Sequence, residues 1–79
     1  FPAEAAGGIP MLKSIGAPIP QITCCPTGGV NQKNVADYYK QPNVGVVGGS
    51  WMWTAKLVDA ENWDEITRLS KEAIELATA

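Results

Sequence analysis

Cys25-Pro26-Thr27-Gly28-Gly29 and, about twenty residues further on, Gly48-Gly49-Ser50 decide how this chain reads. Each closes a short apolar run, Gln21-Ile22-Thr23-Cys24-Cys25 before the first and Asn43-Val44-Gly45-Val46-Val47 before the second. Each is followed by a segment that supports a helix. Glycine pairs at the end of a strand let backbone N–H groups approach a phosphate or carboxylate without interference from a Cβ. Thr27 and Ser50 add hydroxyl donors. A single Gly-Gly more often just turns the chain. Two of them, one βα unit apart and each at the C-terminal end of a strand, read as two walls of one anion pocket.

Outward from these junctions, Gln21–Cys25 and Val44–Val47 are predicted strands. The second is small and apolar throughout, the pattern of a parallel strand covered on both faces. Phe1-Pro2-Ala3-Glu4 reads as the tail of an earlier strand. Ile9–Ile15 predicts a short helix with Pro10 in its first turn, where a missing N–H costs little, and 16–20 ends it. Asn31 is a candidate N-cap for a helix reaching Lys40, with Val35, Tyr38 and Tyr39 at helical spacing. After the aromatic cluster Trp51-Met52-Trp53 comes a short irregular helix over 54–60. The last helix, Trp63–Ala77, has Asn62 as N-cap and Glu65 at N3, a capping-box pattern. Ile66, Leu69, Ala73, Leu76 and Ala77 share its apolar face, and Asp64/Arg68 and Lys71/Glu75 are i,i+4 pairs.

Strand end, helix, strand, helix, strand, helix is a parallel α/β order. Gly-Gly recurs at 7–8, 28–29 and 48–49, an echo at the spacing of one βα unit. Two strands and a stub cannot close a barrel, and a (β/α)8 TIM barrel takes roughly 200 residues or more. The expectation is therefore that residues 1–79 are the C-terminal fragment of a single barrel domain, from the end of strand 6 through helix 8. The absence of an initial Met agrees. In such barrels a phosphate often sits between the loops after strands 7 and 8, the position of the two glycine loops.

Composition narrows the function classes. Six Lys plus Arg along 79 residues, with a formal net charge of −2, make no basic patch for nucleic acid. No apolar run approaches a membrane span. Adjacent Cys24 and Cys25 point to opposite faces of a strand, poorly placed for a mutual disulfide, and read as two small buried residues of a reducing compartment. With no histidine, zinc ligation and a Ser-His-Asp set have nothing to stand on. Glu4 could act as acid or base, although a cap or surface ion pair is the commoner fate. Lys13 and Lys56 fall in helices that read as exposed, a poor setting for an activated amine. Trp51 and Trp53 read as packing at a rim before they read as ligand-stacking groups.

Phe-Pro-Ala-Glu-Ala-Ala-Gly-Gly at 1–8, Cys-Pro-Thr-Gly-Gly-Val at 25–30, 31–39 and Val-Gly-Gly-Ser-Trp at 47–51 resemble the C-terminal part of the 2-keto-3-deoxy-6-phosphogluconate (KDPG) and 4-hydroxy-2-oxoglutarate (KHG) aldolases. The resemblance runs the length of the chain in motif order and spacing. It implies a (β/α)8 class I aldolase, cytoplasmic and usually homotrimeric, with no metal and no cofactor. Such an enzyme cleaves its keto acid to pyruvate and glyceraldehyde 3-phosphate, or to pyruvate and glyoxylate. By the same resemblance Phe1 lines the pocket near the Schiff base and Thr27 holds the keto-acid end. Gly28, Gly29, Gly48, Gly49 and Ser50 bind the phosphate. The Schiff-base lysine belongs two positions before Phe1, and the catalytic glutamate and its arginine neighbour on earlier strands. The expectation is that these residues alone catalyse nothing and depend on the remainder of the barrel. Competing readings are a non-catalytic, self-associating half-barrel and another phosphate-binding barrel, such as an isomerase or synthase.

Overall fold

The two apolar runs meet side by side and run parallel, but their pairing is one bridge long. In this computed structural model, which describes residues 1–78, Cys24 N–H donates to the Asn43 carbonyl at 2.6 Å and Gly45 N–H to the Cys24 carbonyl at 3.1 Å. The next rung of a parallel ladder would need the Pro26 N–H to donate to the Gly45 carbonyl, and proline has no such group. The second run slips instead. Val47 N–H donates to the Tyr39 hydroxyl at 3.2 Å, and Gly48 N–H takes the Pro26 carbonyl at 3.0 Å. The strands expected at Gln21–Cys25 and Val44–Val47 are thus corrected: among the described residues there is a parallel bridge and no strand. Cover on both faces is missing as well, since Ile22 is 44% and Val46 54% exposed. Cys25 is also exposed and Cys24 half-buried, where both were expected inside.

Helices form the rest: α1 (Gly8–Gly16), α2 (Val35–Tyr39), α3 (Ala55–Asp59) and α4 (Trp63–Ala77), with Trp51–Trp53 as one 3-10 turn. Leu12 of α1 is buried, and Gly16 ends the helix before Pro18. Ahead of α2, Asn31 and Asn34 cap each other. Asn31 Oδ1 accepts from the N–H groups of Lys33 (2.8 Å) and Asn34 (3.2 Å), while Asn34 Oδ1 accepts from Asn31 N–H (2.8 Å). This is the reciprocal geometry of a capping box with asparagine at both ends. Thr54 caps α3 by accepting from Leu57 N–H at 3.4 Å.

The start of α4 differs from expectation. Asn62 makes no side-chain cap, and Glu65 is drawn instead to Arg68, which also bonds Glu72. An arginine fork satisfies two carboxylates at i−3 and i+4, so the expected Asp64/Arg68 pair does not form, and neither does Lys71/Glu75. That bond holds the Glu65 carboxyl below its ordinary pKa. The apolar face is as expected: Leu69 is buried, and Ile66, Ala73, Leu76 and Ala77 are half-buried. The helix packs on the 3-10 turn, α2 and α3.

The core joins Leu12, Val30, Val35 and Tyr38, with Ile9, Val44, Val47, Trp51 and Leu76 around them. It is small and the molecule elongated, 46 × 24 × 17 Å. Its radius of gyration of 13.9 Å exceeds the roughly 12 Å of a compact domain this long. Phe1, Trp53, Trp63 and Ile74 are all more than half exposed.

Two adjacent tyrosines make opposite contributions. Tyr38 is fully buried and its hydroxyl has no partner of hydrogen-bond geometry among the described residues, whereas the Tyr39 hydroxyl serves Val47. Burial first, then the nearby negative charge of Glu4, raises the Tyr38 pKa. Tyr38→Phe is expected to leave stability at neutral pH equal or higher by up to about 1 kcal/mol, and Tyr39→Phe to lower it by about the same amount. The unfolded tyrosine ionises near 10 and the folded one higher. Below about pH 10 the hydroxyl is neutral in both states and stability does not change with its titration. As pH rises from there through the folded value, ionisation favours the unfolded chain and stability falls. Urea unfolding across alkaline pH should show this loss in the parent and not in Tyr38→Phe.

Candidate functional site

Residues 1–4 run directly beside the first glycine loop. Ala3 N–H donates to the Thr27 carbonyl at 2.7 Å and Glu4 N–H to the Gly28 carbonyl at 3.1 Å. Gly28 and Gly29 have φ of 98° and 80°, the region that side chains avoid. Space forbids a side chain too: a Cβ on Gly28 would lie 2.8 Å from Pro2 Cα, and one on Gly29 2.6 Å from Glu4 Cβ. The second loop closes on the first, since a Cβ on Gly48 would lie 2.6 Å from Thr27 Cγ2. The Gly48 N–H bond to Pro26 fixes this approach.

Between the loops is an open cleft of about 320 Å³, lined by Phe1, Thr27 to Val30 and Gly48 to Ser50. All seven residues singled out in the sequence, Phe1, Thr27, Gly28, Gly29, Gly48, Gly49 and Ser50, come together here. Val30 was missed; its buried side chain belongs to the core, and only its place after Gly-Gly signals that it reaches the cleft. Among the described residues, the backbone N–H groups of Thr27, Gly28, Gly29, Val30, Gly49 and Ser50 donate to no protein acceptor. The Ser50 side chain leaves the 3-10 turn uncapped. Among the described residues, no charged side chain lines the cleft. What it offers is a concentration of N–H dipoles and two hydroxyls, suited to an anion held by oriented backbone.

The other candidates lie elsewhere. Glu4 neither caps a helix nor forms an ion pair: its Oε1 accepts from Asn34 Nδ2 at 2.7 Å, and that nitrogen also donates to the Gly29 carbonyl at 3.1 Å. The signal for Asn34 is its spacing of three from Asn31 just after Gly-Gly. Lys13 borders a separate hollow of about 260 Å³ with Leu12, Pro20 and Asn43. Lys56 is exposed on α3. Trp51 packs beneath Gly49, where its ring leaves no room for a Cβ, and Trp53 is exposed.

The sequence model of the KDPG and KHG aldolases matches residues 1–69. The chain belongs to this family. Among relatives, it is 51% identical over 75 residues to the 2-dehydro-3-deoxy-phosphogluconate aldolase of Pseudomonas aeruginosa, covering 95% of this chain and 34% of that protein. It is 44% identical over 75 residues to the KHG/KDPG aldolase of Escherichia coli K12, with 95% and 35% covered. The structure superposes on the KDPG aldolase of Legionella pneumophila, crystallised with pyruvate captured as a covalent carbinolamine, with a TM-score of 0.84 and 54% identity over 87% of this chain and 34% of that one. The 2-keto-3-deoxy-6-phosphogluconate aldolase of Zymomonas mobilis, with 3-phosphoglycerate, gives 0.81 and 42%, covering 92% and 34%. These neighbours have a TIM-barrel-type fold. The chain thus spans about a third of the length of the family members it matches.

Contact between the two loops can be tested by packing alone. Gly48→Ala should destabilise by about 1–3 kcal/mol through overpacking against Thr27. Adding Thr27→Ser, which removes Cγ2, should recover most of that loss. Urea unfolding of both single variants and the double variant gives the coupling directly.

Proposed function

We propose that the protein is a class I aldolase acting on a phosphorylated 2-keto-3-deoxy acid, and that this segment supplies its phosphate and keto-acid contacts. The supporting observation is the convergence of both glycine loops, with six unpartnered N–H groups, on one cleft beside Phe1 and Thr27. Pyruvate held covalently in one structural neighbour and 3-phosphoglycerate in another agree with this chemistry. The segment is the end of strand 6 through helix 8 of a (β/α)8 barrel. The remaining two thirds of the barrel cover the exposed Ile22 and Val46, and the whole protein is a cytoplasmic homotrimer.

In this reading a lysine two positions before Phe1 attacks the keto carbonyl, and the carbinolamine loses water to give a protonated imine. The C3–C4 bond then breaks, its electron pair moving to the iminium to form an enamine. A glutamate and water remove the proton from the C4 hydroxyl, which leaves as the aldehyde. Protonation of the enamine and hydrolysis of the imine release pyruvate and regenerate the amine. The roles here are to hold the two ends of the substrate: Phe1 and Thr27 at the keto acid, Gly28, Gly29, Gly48, Gly49 and Ser50 at the phosphate. Fixing both ends positions the bond to be broken.

Borohydride reduction of the full-length protein with pyruvate, followed by peptide mapping, tests the assignment. A pyruvyl adduct on the lysine preceding Phe1 is expected; an adduct elsewhere, or none, contradicts it. Ser50→Ala should raise KM for the phosphorylated keto acid several-fold, about what one lost hydrogen bond supplies, and affect 4-hydroxy-2-oxoglutarate far less. Equal losses on both substrates would count against a phosphate role.

A further inference from the structure

The loop that forms one wall of the cleft is held from behind. Three consecutive carbonyls, those of Thr27, Gly28 and Gly29, accept from Ala3 N–H (2.7 Å), Glu4 N–H (3.1 Å) and Asn34 Nδ2 (3.1 Å). In a planar trans peptide the carbonyl and the following N–H point in opposite directions. The N–H groups of Gly28, Gly29 and Val30 are therefore turned away from residues 3, 4 and 34. They are three of the N–H groups that find no acceptor among the described residues. Positive φ at Gly28 and Gly29 is what lets successive carbonyls face one side, where an ordinary strand alternates them.

Two of the three anchors are backbone. The third is the Asn34 side chain, and it is engaged on every side: Nδ2 donates to both Gly29 and Glu4 Oε1, and Oδ1 accepts from Asn31 N–H. Both amide hydrogens are used, and the carboxylate at 2.7 Å makes one bond charge-assisted. Among the described residues, Asn34 Nδ2 makes the only hydrogen bond to the Gly29–Val30 peptide.

We infer that Asn34, oriented by Glu4, is a positioning residue for phosphate recognition: it holds the Gly29–Val30 peptide so that its N–H faces the anion, without touching substrate itself. The inference rests on the phosphate reading of the cleft and adds to it a specificity determinant behind the loop. Loss of Asn34 frees the peptide to rotate. It weakens contact with the phosphate while leaving the keto-acid end, held by other residues, largely in place.

The test compares Asn34→Ala, Glu4→Gln, Glu4→Leu and Ser50→Ala in the full-length protein, using 2-keto-3-deoxy-6-phosphogluconate, 4-hydroxy-2-oxoglutarate and inorganic phosphate as a competitive inhibitor. Asn34→Ala should raise KM for the phosphorylated substrate and the phosphate inhibition constant together, by about tenfold. Its kcat, and its kcat/KM for the unphosphorylated substrate, should fall by less than about threefold. Glu4→Gln keeps an acceptor for Asn34 and should stay near the parent, whereas Glu4→Leu should shift in the direction of Asn34→Ala. If Asn34→Ala does not fold, the Glu4 pair carries the test. Equal losses on both substrates would show a merely structural role and overturn the inference. So would an unchanged phosphate constant in Asn34→Ala while Ser50→Ala raises it, which leaves the phosphate reading standing. If neither variant moves the phosphate constant, the phosphate reading falls and the inference with it.

Discussion

The close approach of residues 1–4 to Thr27, Gly28 and Gly29 is the contact on which the rest of the site depends. Backbone lies against backbone there, with N–H groups of Ala3 and Glu4 on two successive carbonyls and no space for a side chain at either glycine. That contact turns the loop's own N–H groups outward. It also brings Phe1 to the rim. A bulky residue at Gly28 would push on Pro2 Cα, which belongs to a main chain already tied at Ala3 and cannot yield as a side-chain tip would.

The second loop is brought in by a pairing that Pro26 limits. Because Pro26 cannot donate, the ladder stops after the Cys24/Val44 bridge, and the second run slips by one residue so that Gly48, not Val47, reaches the Pro26 carbonyl. Tyr39 of α2 takes up the displaced Val47 N–H. The slip sets Gly48 against Thr27 and leaves Gly49 and Ser50, whose N–H groups have no acceptor among the described residues, lining the same cleft as Gly28 and Gly29. A local defect in strand pairing thus helps to shape the cleft: Tyr39 satisfies Val47, and the N–H groups of Gly49 and Ser50 are left without an acceptor among the described residues.

Much of this was legible in the residues. Paired glycines at strand ends, each with a hydroxyl neighbour, located the cleft, and the apolar spacing of Ile66, Leu69, Ala73 and Leu76 located α4. The strands were not legible as they stand, because the apolar character of Val44–Val47 describes a strand with neighbours on both faces. In this chain, a third the length of its relatives, those faces meet solvent. The Asn62/Glu65 cap failed because a local competitor, Arg68, satisfies Glu65 better than a backbone N–H does. Asn34 escaped notice for a different reason. Its spacing from Asn31 signals only their mutual cap; its partners Glu4 and Gly29 are thirty and five residues away, and that contact is created by the fold.

One phosphate bound by the free N–H groups of the two glycine loops is what ties these features together. Amide NMR of isotope-labelled full-length protein, titrated with inorganic phosphate, tests it most directly. Saturable shifts with one shared dissociation constant are expected at Gly28, Gly29, Val30, Gly49 and Ser50. Amides that stay still, or saturating shifts that map instead to the hollow beside Lys13, would rule out phosphate binding by these loops.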